Sequence, residues 1–164
     1  MIELHLKQED TKLVYLAVAY HLGRPGSELD PVTKQLVEHG LAEVARDLQP
    51  QLGLATASIS LNADQITRLG SGMYGSITEL KAYPMLEIQA DAGGGRKSSV
   101  PGFDRTLRHL FPEVDEDVDA TLDIAERMIM LKRRLDGEFA KAPPDTFQES
   151  APRKRGWWPF GRGT

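Results

Sequence analysis

The chain has 164 residues, 40% of them hydrophobic and 27% charged, with a net charge of −4 and no cysteine. That is enough apolar material for one domain with a real core, and it excludes disulfides, thiolate metal sites and thiol nucleophiles. No stretch approaches 18 consecutive apolar residues and the N-terminus lacks a basic region followed by an apolar one, so the expectation is a cytoplasmic protein without a signal peptide or membrane span.

Ile2, Leu4 and Leu6 alternate with Glu3, His5 and Lys7, the period-two pattern of a half-buried strand. Glu9 and Asp10 then open a helix that runs to about Leu22 and is closed by Gly23 and Pro25. Its apolar residues, Leu13, Val14, Leu16, Ala17, Val18 and Leu22, cover more than one face, which predicts a central position. Asp30-Pro31 has the form of an N-cap followed by a first-turn proline. A second helix is therefore predicted from there through Leu36, Val37, Leu41, Val44 and Leu48, ended by Pro50.

A second short strand is predicted where Ala55, Ala57, Ile59 and Leu61 alternate with Thr56, Ser58 and Ser60. Asn62 reads as the N-cap of a third helix, whose stripe is Ile66, Leu69, Met73, Ile77 and Leu80 and whose stop is Pro84. Gly70, Gly72 and Gly75 fall inside it, each costing roughly 1 kcal/mol relative to alanine, and this predicts close approach of another backbone. Residues 85–90 are ambiguous, and 91–99 read as a glycine-rich loop. Phe103, Leu107, Leu110 and Phe111 form a short helix before Pro112. A last helix over about 116–139 has acids in its first turns and Arg127, Lys132, Arg133 and Arg134 later, in accord with the helix dipole.

The predicted fold is mainly α: a compact bundle of four main helices plus a short one, with two short strands able to form a small ribbon. The two strand–helix units align at an offset of 55 residues, Leu4 with Ile59, Val14 with Leu69 and Val18 with Met73 among others, as a duplicated module would.

Asp115, Asp117, Asp119 and Glu126 lie in a 12-residue acidic segment that resembles an EF-hand calcium loop, with acids at loop positions 1, 3, 5 and 12. The resemblance implies calcium as ligand, the one cofactor the sequence suggests. Ala120 stands where that loop needs glycine, and Pro112 interrupts the incoming helix, so these acids read primarily as the opening of the last helix. Gly93-Gly94-Gly95-Arg96-Lys97-Ser98-Ser99 lacks the second glycine and the following helix of a phosphate-binding loop. The four histidines have no ligand spacing, and no nucleophile–base set stands out, which argues against an enzyme.

The sharpest feature comes last. Residues 1–140 make the domain; residues 141–164 make a proline-rich, polar linker and a tail, Arg153-Lys154-Arg155-Gly156-Trp157-Trp158-Pro159-Phe160. The segment from 141 carries five basic residues against two acidic ones, a net +3, leaving −7 for residues 1–140 of a chain at −4. Both tryptophans of the chain are here, beyond the linker, where they serve a domain core poorly. Arg153, Lys154, Arg155, Trp157, Trp158 and Phe160 are the expected partner-binding residues, aromatic anchors beside a steering charge. A protein partner is the first expectation. An anionic membrane surface, or a groove on the chain's own domain, are the alternatives. The acidic body argues against nucleic acid.

Overall fold

In a computed structural model, residues 1–33, 37–89, 98 and 100–143 are described. The elements are β1 (Ile2–Lys7), α1 (Gln8–Gly23), α2 (Leu41–Leu48), β2 (Thr56–Leu61), α3 (Ala63–Gln89), α4 (Phe103–Leu110) and α5 (Ala120–Lys141). The fold is mainly α, with the expected ribbon. β1 and β2 pair antiparallel, Ile2 opposite Leu61, Leu4 opposite Ile59 and Leu6 opposite Ala57, so the apolar residues of both strands share one face. Leu4, Leu6, Ala57, Ile59 and Leu61 are all buried there.

The two-faced apolar pattern of α1 has the predicted consequence: this helix packs against α2, α3, α4 and the ribbon. Leu13, Val14, Leu16, Ala17 and Val18 are buried on it. α5 packs against α3 and contributes Ile124, Met128, Leu131 and Leu135 to the same core. Tyr20 meets Phe103 of α4 edge-on at 5.5 Å between ring centroids, a favoured aromatic geometry. Arg127 of α5 spans to Glu9 of α1 at 3.0 Å and lies over the Phe111 ring, and Arg134 reaches Asp10 at 2.7 Å, tying α5 to α1.

Besides the last helix, which begins at Ala120 rather than at about 116, two boundaries differ from the sequence expectation. The helix predicted from Pro31 begins only at Leu41, and residues 31–33 form turns. Asp30 is tied into the preceding loop: its carboxylate accepts from the Gly26 N–H at 2.6 Å, a backward bond no helix cap makes, as well as from the Val32 N–H at 2.8 Å. The N-terminus of α2 is served from a distance, by Glu28, whose carboxylate accepts from the Leu41 N–H at 2.7 Å. The second difference is Pro84, which does not stop α3; the helix continues to Gln89. An interior proline forfeits a hydrogen bond and costs about 3 kcal/mol. Leu80 and Tyr83, fully buried in the turn before it, and the bond from the Tyr83 hydroxyl to Asp104 of α4 hold the helix in place.

The start of α3 follows the sequence closely. Asn62 Oδ1 accepts from the Gln65 N–H at 2.8 Å while Gln65 Oε1 accepts from the Asn62 N–H at 2.9 Å, a reciprocal capping box. Among the three glycines of α3, Gly72 meets the expectation of close approach: a Cβ there would lie 2.6 Å from the Ala17 carbonyl oxygen. Gly75 lies against the Tyr20 ring, whereas Gly70 faces open space. Leu4–Ile59, Ala17–Gly72 and Tyr20–Gly75 are contacts between positions 55 residues apart, the arrangement expected of two strand–helix units about an approximate two-fold axis.

Candidate functional site

The acidic segment 115–126 does not form a metal-wrapping loop. Asp115 ends a short 3-10 turn and pairs with Arg108, and Asp117 accepts from the Asp119 N–H at 3.0 Å. From Ala120 onward the backbone is α5, which carries Glu126 away from the three aspartates along the helix. Ala120 takes the helical conformation where an EF-hand loop needs its sharp glycine turn. No group of three or more His, Asp or Glu residues is placed to hold a metal ion among the described residues. The glycine-rich residues 93–97 and the whole tail, Arg153, Lys154, Arg155, Trp157, Trp158 and Phe160 included, lie outside the described residues.

The histidines stand apart from one another. His5 Nδ1 bonds Ser58 Oγ across the ribbon at 2.8 Å, and His39 Nδ1 lies 3.0 Å from Glu43 Oε2. His21 is different. It occupies the last turn of α1, and neither ring nitrogen has a hydrogen-bond partner although both are buried. A neutral imidazole always carries one N–H, and leaving such a donor unpaired costs about 1–3 kcal/mol.

His21 lines a small polar cavity of about 120 Å³ together with Arg24, Pro25, Gly26, Ser27 and Arg68. The fold builds this cavity from its closest helix contact. The missing side chain of Gly72 lets α3 lie against α1 at Ala17 and against the Cβ of His21. Arg68 is one helical turn before Gly72, on the same face, and so arrives beside His21. Both guanidiniums act on the ring electrostatically: burial first, then Arg68, then Arg24 hold the His21 pKa below its ordinary 6.5, with Glu28 opposing. The imidazole is therefore neutral at physiological pH, between two fixed positive charges.

Neither Arg24 nor Arg68 has a carboxylate partner among the described residues. The nearby acids are engaged otherwise, Glu28 by the Leu41 N–H and Asp30 by two backbone N–H groups. The carbonyls at the end of α1 are answered locally too. His21 O accepts from the Arg24 N–H at 3.3 Å and Leu22 O from the Ser27 hydroxyl at 2.6 Å. Arg24 also faces the Tyr20 ring at 6.0 Å.

Next to this cavity, and sharing Arg24 and Pro25 with it, runs an open apolar groove of about 440 Å³. Leu22, Leu29, Val32 and Pro101 line it, and Leu29 and Val32 are exposed. The sequence reading missed this corner because Arg24 and Arg68 are far apart along the chain, and only the helix crossing at Gly72 joins them. Glycine four residues after arginine in an amphipathic helix was the available signal.

No protein-family model, no curated protein and no solved structure matches this chain.

Proposed function

We propose that the protein is a small non-enzymatic interaction module that docks a protein partner through its basic, aromatic C-terminal tail. The observation that carries this reading is the placement of Trp157, Trp158 and Phe160 beyond a proline-rich polar stretch, after a body whose buried core draws on residues 4 to 135. Phe103, Phe111 and Tyr83 fill that core as its largest side chains. Aromatic side chains presented outward have large apolar area and few torsions to freeze, the properties of interface anchors. Arg153, Lys154 and Arg155 beside them would steer encounter with an acidic surface and make it weaken with salt.

The test is partner capture from native-host extract, with cross-linking, by the full-length protein and by its Trp157→Ala/Trp158→Ala form. The reading expects a reproducible partner whose recovery falls about tenfold or more in the double variant, because anchor residues carry most of an interface's energy. Equal recovery by both proteins contradicts it.

A further inference from the structure

We propose that the cavity at the end of α1, formed by His21, Arg24 and Arg68, binds a phosphate-type oxyanion. Arg24 and Arg68 line one cavity, and neither has a carboxylate in ion-pair contact among the described residues, so an anion there would meet two unpaired positive charges. His21 lines the same cavity, and its two ring nitrogens are buried without a hydrogen-bond partner on the protein. A cavity of about 120 Å³ has room for a few waters or one tetrahedral oxyanion. Guanidinium forks suit the oxygens of such a group, and an anion there would draw the ring toward its doubly protonated form, adding a donor.

The two nearby acids keep their charge, which Glu28 exerts on His21, but their oxygens are hydrogen-bonded elsewhere. Asp30 is held by the Gly26 and Val32 amides and Glu28 by the Leu41 amide. The α1 carbonyls, which present the negative end of the helix dipole, are covered by Ser27 and the Arg24 amide. The cavity shares Arg24 and Pro25 with the apolar groove, so the oxyanion can be free phosphate or the head of a phosphomonoester whose apolar body reaches past these residues into the groove.

The experiment is an amide-resolved NMR titration of the full-length protein with inorganic phosphate, ionic strength held constant with chloride. Saturable shifts at His21, Arg24 and Arg68 are expected, with affinity about tenfold lower in Arg24→Ala and in Arg68→Ala and unchanged in Arg46→Ala on α2. Arg24 is exposed and Arg68 half-buried, so both variants keep the core intact. A second series with sulfate, whose charge is constant around neutrality, should raise the His21 pKa against the background set by Arg24, Arg68 and Glu28. Phenyl phosphate separates the two sources. Tighter binding with added shifts at Leu29 and Val32 identifies a phosphomonoester; affinity equal to that of inorganic phosphate identifies the free ion. No saturation by on the order of 50 mM, shifts confined to the basic tail, or equal affinity in Arg68→Ala overturns the proposal.

Discussion

At the scale of single residues, Gly70 and Gly72 share a helix and a sequence context yet have opposite surroundings. Gly72 faces the Ala17 carbonyl oxygen at a distance no added methyl can accept, while Gly70 faces open space. Gly72→Ala should therefore destabilise the fold by about 1–3 kcal/mol through overpacking against backbone. Gly70→Ala should stabilise it by up to about 1 kcal/mol through helix propensity. Urea unfolding of the two variants reads both signs, and equal shifts would contradict the packing described. His21 gives a second residue-scale prediction. Burial, Arg68 and Arg24 depress its folded pKa below 6.5, so the unfolded chain binds a proton there that the folded chain refuses. Stability then falls as pH drops through about 6.5 and levels off once the folded ring is protonated as well. In His21→Gln this slope should flatten between about pH 7.5 and 5.5, the range of histidine titration, in thermal melts followed across pH; an unchanged slope would place its source elsewhere.

At the scale of elements, the local rules hold where the competing interactions are local. The alternation of Ile2–Lys7 and Thr56–Leu61 specified the ribbon, and the Asn62/Gln65 capping box set the start of α3. The rules fail where a contact outside the predicted element outcompetes it, Gly26 for Asp30 and the buried core for Pro84. Asp30-Pro31 has the chemistry of a helix start, but the Asp30 carboxylate closes a turn onto Gly26 and Val32 instead. Pro84 has the chemistry of a helix stop, but the burial of Leu80 and Tyr83 carries α3 past it. The oxyanion cavity was illegible for the same reason, since it depends on the α1–α3 crossing. Glu28 supplies the checkable case: as the side chain that caps α2 from a distant loop, its replacement by alanine should cost about 1 kcal/mol. Chemical denaturation of Glu28→Ala measures this, and a loss within about 0.2 kcal/mol of zero would show that the Leu41 N–H is equally well served by water.

At the scale of the whole molecule, the charge division is the organising fact. Residues 1–140 carry −7 and the segment from 141 carries +3 in a chain at −4, with both tryptophans on the basic side. The acidic surface of the body is stitched by ion pairs from α5 to α1, Arg127 to Glu9 and Arg134 to Asp10, so its charges serve the fold in part. Exposed pairs of this kind contribute little individually, and the core of every helix and both strands provides most of the stability. That a small helical body with a ribbon would form was readable from the periodicities. The role proposed for the tail rests on composition alone.

Docking of a partner by the tail, as proposed, requires a helical body that is complete without it. The most direct measurement compares amide NMR spectra of the full-length protein and of a chain ending at Pro143. The account predicts that body signals superimpose, including those of Leu22, Leu29 and Val32 along the apolar groove. Shifts concentrated on those residues when the tail is removed would mean that Trp157 and Trp158 pack on their own domain, and would contradict it.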